Sequence, residues 1–412
     1  MRALNSAVTG IRSHQTRMDV IGNNIANVNT VGFKSGRVNF QDVFSQTLAA
    51  GSATTNPQQV GLGVGVASID TDMGTGSLQL TGRDLDLAIE GEGFFIIKQG
   101  DGSILYTRVG NFDWSADGVL INPATGARVQ GWPIGEDGEV VTGNLQDIIL
   151  RKGSTAPPQP TSQATLVGNL DPTAAYEEDA SGDPIPAAST TLTIYDSLGR
   201  PNTVTLTFTR TDEDDPTEWE LTVLDSTGKE IESEDLEFDG ATGALKSASF
   251  KFEFSTDDTG EDIPVTLDLS GLKLAYTGTG VSNVSVQSAD GAPMGTLESV
   301  AISADGQVIG VYSNGARVAA AQIAIASFSN PGGLLKVGNT AFSESPASGV
   351  PMVGLPNTGG RGRLVPGNLE ASNVDLSTEF TNMITTQRGF QANTRVVSTA
   401  DEMLQELVNL RR

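Results

Sequence analysis

Apolar side chains recur every seven residues near both ends of the chain, and this spacing limits the fold more than any other feature. Such a repeat places a narrow apolar stripe along an α-helix, and that stripe is buried only against a partner helix. The spacing therefore predicts one helix from near Ala3 to about Val28 and another over about 374–410, with Ser372 or Asn373 as N-cap of the second. The predicted assembly seam consists of Leu4, Ile11, Met18, Ile21, Ile25 and Val28 at the first end and of Phe380, Met383, Phe390, Val397, Leu404 and Leu407 at the second.

Either terminal helix is expected to be unstable alone in water. Full burial of the N-terminal seam would contribute on the order of 10–20 kcal/mol, at roughly 1.5–3 kcal/mol per side chain. An isolated helix buries almost none of that seam, while ordering its backbone costs roughly 1–2 kcal/mol per residue. We therefore expect the two ends to pair, to be largely disordered in free subunits, and to become helical when several subunits pack together.

The composition between the ends indicates β structure. The chain has 48 glycines and only 6% aromatic residues, which favours many short strands and turns. Apolar alternation begins near Leu85, and pairs such as Asp101-Gly102 and Asp117-Gly118 predict hairpin turns. Residues 35–80 are expected to be extended or loop-like instead. The predicted strands include Phe94–Ile97, Leu192–Tyr195, Val204–Phe208, Trp219–Val223, Phe250–Phe254 and Val308–Tyr312.

The length and the element order together predict the fold class. A chain of 412 residues is too long for one compact core and suggests two to four domains. If the two terminal helices meet, the β segments next to them are also brought together. The predicted fold is therefore a mainly β body with α-helical, coiled-coil-like termini, in a nested and discontinuous multidomain chain.

The negative charge of the chain is concentrated in its middle. Of a formal net charge of −25, residues 171–300 hold 27 acidic and six basic side chains, a net −21. Such a segment repels nucleic acid and phospholipid head groups, and it acts as a solvated surface. No apolar run approaches the roughly 18–20 residues that span a bilayer, and polar residues interrupt any signal-peptide pattern at the N-terminus. We expect no nucleic-acid partner and no membrane insertion.

Residues able to perform catalysis are scarce. The chain has no cysteine, and its single histidine, His14, lies on the N-terminal seam, where packing is the expected role. The glycines at 61, 63 and 65 lack the strand and helix context of a dinucleotide site. We predict no catalytic, cofactor-binding or metal-binding residue. The acidic run Asp212–Asp215 and the tryptophans Trp114, Trp132 and Trp219 leave open a secreted acidic β-rich adhesin or a glycan-acting enzyme.

Four motifs resemble those of the bacterial flagellar rod and hook proteins. The first, Asn27-Val28-Asn29-Thr30-Val31-Gly32-Phe33-Lys34, follows the N-terminal helix. Its matching residues are Asn27, Asn29, Thr30, Gly32, Phe33 and Lys34. The other three motifs are 81–95, which begins Thr-Gly-Arg-Asp-Leu, Tyr106-Thr107-Arg108-Val109-Gly110-Asn111-Phe112, and the C-terminal stretches 369–376 and 387–393. Together they cover both flanks, roughly 1–150 and 290–412.

Within this family, the total length and the large insert are similar to those of a hook subunit, with the distal rod or another basal-body axial protein as the alternative. The resemblance implies a non-enzymatic, self-assembling subunit of a hollow tube that acts as a universal joint and transmits torque from rod to filament. It also implies four nested parts. They are the inner-tube helices (1–34 and 371–412), bracing segments (35–80 and 352–370), an inner β domain (81–150 and 290–351) and an outer acidic β domain (151–289).

The resemblance also implies partners and a location. The chain would polymerise with itself and meet the rod, the hook cap and the hook–filament junction proteins. It would leave the cytoplasm unfolded through the flagellar type III export apparatus and reside in the extracellular hook of the basal body. Some relatives crosslink subunits through a cysteine and a lysine, a chemistry that is unavailable to a chain without cysteine.

Overall fold

The computed structural model of the chain describes residues 2–49, 51, 56–135, 138–174, 185–212, 215–255 and 262–409. The chain divides into two compact units, each made of more than one stretch of sequence. The first unit contains Met1–Arg151, Val300–Gly310 and Ala319–Arg412, and the second contains Lys152–Ser299 and Val311–Val318. The terminal helices thus belong to the same unit as the β structure that flanks them in sequence.

The described residues form two α-helices, one short 3-10 helix at Pro331–Gly333 and thirty strands. The helices are α1 (Arg2–Ala26) and α2 (Leu376–Asn409). The strands that precede residue 152 are β1 (Gly36–Asp42), β2 (Ser45–Ala49), β3 (Gln58–Gly61), β4 (Val64–Thr71), β5 (Leu78–Leu80), β6 (Leu87–Glu90), β7 (Phe94–Lys98), β8 (Ile104–Thr107), β9 (Asp113–Trp114), β10 (Leu120–Ile121), β11 (Arg128–Pro133) and β12 (Gln146–Asp147).

The remaining strands follow in chain order. They are β13 (Thr155–Ala156), β14 (Gln163–Leu170), β15 (Ala188–Tyr195), β16 (Pro201–Arg210), β17 (Glu218–Leu224), β18 (Glu230–Glu237), β19 (Ser249–Ser255), β20 (Asp262–Leu274), β21 (Asn283–Ala289), β22 (Gly295–Ile302), β23 (Gln307–Tyr312), β24 (Arg317–Ile323), β25 (Ile325–Ser327), β26 (Leu335–Gly338), β27 (Ala341–Ser343), β28 (Met352–Gly354), β29 (Arg363–Pro366) and β30 (Asn368–Glu370).

The β structure of the first unit brings early and late parts of the chain together. Strand β7 pairs antiparallel with β8, β11 and β25, and β8 pairs with β27. Strands β29 and β30 return to pair with β6 and β5. One core of this unit gathers aromatic rings, and Phe94 meets both Phe328 and Phe342 edge-on at centroid distances of 5.9 and 5.8 Å. Burial of these rings fixes the sheet to which the terminal segments attach.

The second unit contains two four-stranded sheets, with strand orders β19-β20-β14-β21 and β15-β16-β17-β18. Alternate side chains of these strands enter one shared apolar core, as the exposed–buried alternation of β19 shows. The predicted strands at 192–195, 204–208, 219–223 and 250–254 are confirmed, since each lies inside an observed strand. The predicted strand at 308–312 is confirmed as β23, which lies between β22 and β24 in one sheet.

Residues 35–80 are extended, as expected, but their pairing into strands was not predicted. They contain five strands, and β1 pairs with β4. Both strands expose much of their surface, so neither shows the alternation that marks a half-buried strand. The expected N-cap of α2 is wrong. Helix α2 begins at Leu376, and its N-cap is Asp375, whose Oδ1 accepts the amide of Ser377 at 2.8 Å. Ser372 and Asn373 lie before this cap. Helix α1 ends at Ala26, within two residues of the predicted end at about Val28.

Two other site types are absent from the part of the chain that the structure describes. No helix there is both long enough and apolar enough to cross a membrane. No group of three or more His, Cys, Asp or Glu residues there is placed to hold a metal ion. Two residues of the acidic run, 213 and 214, lie outside the described residues. Trp132 and Trp219 are buried core residues, and their indole Nε1 atoms donate to the carbonyl oxygens of Gly143 and Pro216.

Candidate functional site

The two terminal helices lie side by side and run antiparallel. A Cβ added at Gly10 of α1 would lie 2.8 Å from Asn393 Oδ1 of α2, and one added at Gly389 would lie 2.7 Å from the His14 ring. Further along, Arg17 Nη2 donates to Asn382 Oδ1 at 3.4 Å. Glycine at positions 10 and 389 therefore permits the close approach of the two helices.

A neighbouring face of α1 packs on the β1–β4 pair. Asn24 binds the backbone of Gly36 twice: its Nδ2 donates to the carbonyl oxygen, and its Oδ1 accepts the amide, both at 2.9 Å. Ser13 Oγ donates to Val64 O at 3.4 Å, and Gly63 lies against Thr9. Helix α1 is therefore held on two sides, by α2 and by β strands of the same unit.

The structure places the predicted seam residues unevenly. On α1, Ile21 is buried, and Leu4, Ile11, Met18, Ile25 and Val28 are half-buried. On α2, Met383, Phe390 and Val397 are half-buried, whereas Phe380 and Leu404 are 50% and 41% exposed. The side chain of Leu407 lies outside the described residues. The α1 half of the seam is thus largely covered within one chain, and the α2 half is not.

His14 lies between the two helices and the β strands. Its ring meets Phe40 edge-on at a centroid distance of 5.7 Å, and its Nδ1 is buried without a hydrogen-bond partner. Burial lowers the pKa of His14, and the nearby Arg17 guanidinium lowers it further. A neutral imidazole that packs over Gly389 fits the expected packing role.

The motif at residues 27–34 turns the chain from α1 into the β structure. Asn27 Nδ2 donates to Asn23 O at 2.9 Å, and Thr30 Oγ1 donates to Asn27 Oδ1 at 3.1 Å, so these two side chains close the helix end. Asn29 is exposed. Gly32 adopts a φ of +67°, and its amide donates to Glu370 O at 2.8 Å. The motif thus ends on the segment that leads into α2.

Phe33 and Lys34 complete the motif, and both are buried. Lys34 Nζ donates to Glu370 Oε1 at 2.6 Å and to Gly74 O at 2.8 Å. On the other side of the same carboxylate, Arg108 Nη1 lies 3.4 Å from Glu370 Oε2. The side chains of Lys34, Arg108 and Glu370 are only 1%, 4% and 0% exposed, and we call these three residues the joint cluster.

Backbone groups satisfy much of the remaining hydrogen-bonding capacity of the joint cluster. The amide of Gly76 donates to Glu370 Oε1 at 2.9 Å, and Arg108 donates to the carbonyl oxygens of Ile89 and Gly91 at 3.3 and 2.9 Å. Burial lowers the pKa of both Lys34 and Arg108, while the Glu370 carboxylate opposes this change. Asn373 adds a further link, because its Oδ1 accepts the amide of Ser35 at 2.9 Å.

We expect Gly32→Ala to weaken this junction. The substitution places a Cβ in the left-handed region and 2.8 Å from Val109 Cγ2, so the free energy of local opening should fall by about 1–3 kcal/mol. Hydrogen exchange of the residue-32 amide measures that free energy. Gly22→Ala is the matched control, because an added Cβ there meets nothing within 4 Å and should favour α1 by about 0.5–1 kcal/mol. Equal exchange in both variants would contradict the expectation.

Two members of the joint cluster were not predicted as functional residues. Arg108 and Glu370 lie inside the motifs 106–112 and 369–376, but their spacing along the chain gives no sign that they meet. A lone charged residue between apolar neighbours, as in Leu369-Glu370-Ala371, is the local signal that could have indicated a buried charge. Its partners become evident only from the fold.

Comparison with known families gives matches along most of the chain. Four family models match in chain order: "Flagella basal body rod protein" over residues 4–34, "Flagellar hook protein FlgE/F/G D1 domain" over 88–156, "Flagellar basal body protein FlaE D2 domain" over 163–309, and "Flagellar basal body rod FlgEFG protein C-terminal" over 365–410. The first model covers most of α1 and the motif that follows it. The last model covers Glu370 and α2. The second model covers Arg108.

Full-length relatives give the same result. The flagellar hook protein of Borreliella burgdorferi is 40% identical over 448 aligned positions, which cover 100% of both chains. That of Treponema pallidum is 37% identical, again over 100% of both. That of Escherichia coli is 34% identical over 99% of this chain and 100% of the relative. These matches favour the hook over the rod, adhesin and enzyme alternatives. The chain therefore belongs to the flagellar hook protein family, and it is a structural, non-enzymatic subunit of the hook, an extracellular part of the bacterial flagellum.

Proposed function

We propose that copies of this chain pack through their terminal helices into a hollow tube, and that the tube transmits torque from rod to filament as a universal joint. The observation that carries the proposal is the uncovered apolar surface of α2. Among the described side chains of this helix, seven large apolar ones are at least 39% exposed within one chain. They are Leu376, Phe380, Ile384, Val396, Met403, Leu404 and Val408.

The C-terminal end of α2 extends past its partner helix. Because Gly10 lies opposite Asn393 and both helices rise about 1.5 Å per residue, the start of α1 at Arg2 lies opposite roughly residue 401. Met403, Leu404 and Val408 fall beyond that point and are 59%, 41% and 69% exposed. Their burial requires another molecule, and identical helices from neighbouring copies offer a matching apolar stripe.

The strands after α1 offer a second contact surface. Strands β2 and β3 pair with each other, and every residue of β3 is exposed. Phe44, Leu48 and Leu62, in and beside these strands, are 72%, 54% and 39% exposed. An apolar surface of this kind on a slender β pair is typical of an interaction site. We assign to 35–80, together with 352–370, the role of bracing neighbouring copies.

The nested four-part division follows as part of the same proposal. The helices at 1–34 and 371–412 would line the tube, the β structure of 81–150 and 290–351 would surround them, and the acidic domain at 151–289 would lie outermost. The separation of Lys152–Ser299 into its own compact unit, with most of the negative charge, supports a distinct acidic domain. In the structure this unit extends ten residues past 289 and also takes in Val311–Val318.

The specific partners are also proposed. They are the rod at one end of the tube, the hook cap and the hook–filament junction proteins at the other, and the flagellar type III export apparatus. Terminal helices that need neighbouring copies for burial suit a chain that travels unfolded, and the chain has no cysteine to oxidise on the way. The expectation that both ends are disordered before assembly stays a prediction.

The seam can be tested with substitutions that leave the single chain nearly unchanged. We expect Phe380→Ser and Leu404→Ser each to remove about 1.5–3 kcal/mol of burial per subunit in the polymer. That loss corresponds to a rise of roughly 10–100-fold in the critical concentration for polymerisation, which sedimentation of purified protein measures. Gln391→Ser, at an exposed polar position of α2, is the matched control and should leave the critical concentration unchanged. If Phe380→Ser and Leu404→Ser both assembled normally, the exposed face of α2 would not belong to the interface between subunits.

A further inference from the structure

A single buried carboxylate joins three distant parts of the chain. Glu370 binds Lys34, which lies 336 positions earlier, and Arg108, which lies 262 positions earlier. Lys34 follows the end of α1 by eight residues, and Glu370 precedes the start of α2 by six. Arg108 directly follows β8 of the central sheet. The roots of both terminal helices and the sheet therefore meet at one side chain.

Arg108 is fixed firmly to the β structure. Its guanidinium carbon lies 5.2 Å from the centre of the Phe94 ring, which belongs to the aromatic core of the first unit. Its two terminal nitrogens bind the carbonyl oxygens of Ile89 and Gly91, at the end of β6 and just beyond it. The Arg108 guanidinium is therefore held in a fixed position on the sheet. Through Glu370, the segments that lead into the two terminal helices are attached to it.

The joint cluster contains two cations and one carboxylate. Asp72 and Glu92 act on Lys34 and Arg108 from outside, but both acids are exposed to solvent. Glu370 is therefore the only fully buried negative charge among the described groups that act on these two cations. Its neutralisation leaves two buried cations together, whereas loss of the Lys34 charge leaves a balanced pair of Arg108 and Glu370.

We propose that Glu370 is a positioning residue that locks the roots of both terminal helices to the central sheet, so that helix pair and sheet turn as one rigid body. The proposal rests on the proposed torque-carrying tube. Such a tube transmits less torque if the inner helices of a subunit can rotate relative to its sheet. The joint cluster lies where that rotation would occur, and its strength comes from ion pairs and hydrogen bonds that are buried from solvent.

The absence of cysteine permits a direct measurement of this rigidity. Spin labels on cysteines introduced at the exposed positions Gln15 of α1 and Ala116 of the β9–β10 turn report the distance between helix and sheet. Labelled subunits are diluted into unlabelled tubes so that only distances within one subunit are read. The variants compared with the labelled parent chain are Glu370→Gln, Lys34→Met and the two combined.

We expect the distance distribution to become about twofold wider or more in Glu370→Gln and to stay near that of the parent chain in Lys34→Met. Addition of Lys34→Met to Glu370→Gln should narrow the distribution again, because it removes one uncompensated cation. If the cluster acted through packing alone, Lys34→Met should widen the distance distribution more than Glu370→Gln does. Gln matches the shape of Glu, whereas Met removes a hydrogen-bonded amine. Distributions that are equal in all variants, or a double variant at least as wide as Glu370→Gln, would overturn the proposal.

Loss of assembly is also informative. If Glu370→Gln forms no tubes, recovery of tubes in the double variant supports the role of the Glu370 charge, and equal failure of both variants overturns it. If the unlabelled parent chain itself forms no tubes, the proposed tube function fails instead. The same distances are then measured on the soluble chains. A distribution that is wider in Glu370→Gln than in Lys34→Met and in the double variant supports the role of Glu370, and any other order contradicts it.

Discussion

Deletion of residues 375–412 is expected to abolish tube formation and to leave the second unit folded. The deletion removes α2 and with it the helix that covers Gly10 and His14 of α1. It also removes the seven exposed apolar side chains through which we expect copies to meet. Because α1 is then covered on one side only, its half of the seam loses most of its burial, and the helix is expected to become unstable.

Two measurements on the truncated chain check this expectation. Electron microscopy reports whether tubes form, and circular dichroism reports helix content before and after concentration to assembling conditions. The full chain should gain helical signal on assembly, whereas the truncated chain should show neither tubes nor gain. Hydrogen exchange of the strands β16 and β17 is the control, and it should be the same in both chains. Tubes of normal diameter from the truncated chain would show that α2 is dispensable and that the seam is wrongly assigned.

The elements predicted well from the sequence are those determined by local pattern. The seven-residue repeat gave both helices to within a few residues, since a helix depends on side chains close in sequence. The segment Phe250–Phe254 was likewise predicted as a strand, and in β19 its three phenylalanines all lie in one core. Asp101-Gly102 gave the β7–β8 turn, where Gly102 has a φ of +89°.

The features that escaped prediction depend on contacts between distant residues. Strands β1 and β4 pair Gly36 with Thr71, and neither strand has a fully buried face that would produce alternation. The joint cluster requires Lys34, Arg108 and Glu370 to meet from three parts of the chain. The N-cap of α2 was misplaced because Ser372, Asn373 and Asp375 are all suitable cap residues, and the backbone path alone selects Asp375.

Trp219→Ala is expected to destabilise the second unit by about 3–5 kcal/mol and to leave tube formation intact. The indole is 1% exposed in the shared core of the two sheets, and its Nε1 donates to Pro216 O at 3.1 Å. Truncation leaves a large cavity in that core. The seam and the joint cluster all lie in the first unit, and both should remain unchanged. The effect on stability should therefore be confined to the acidic unit.

Hydrogen exchange of β16, β17 and β20 measures the free energy of opening of the second unit, and sedimentation measures assembly. Tyr276→Ala is the matched control, since it also removes a large ring from the same unit but from a side chain that is 71% exposed, and it should change stability by no more than about 0.5 kcal/mol. A Trp219→Ala chain whose strands stay protected but which no longer assembles would place a subunit contact on the acidic unit. Loss of exchange protection in these strands together with normal tubes would assign assembly to the first unit alone. The negative charge of the acidic domain would then act on the solubility of the tube and not on the contacts that build it.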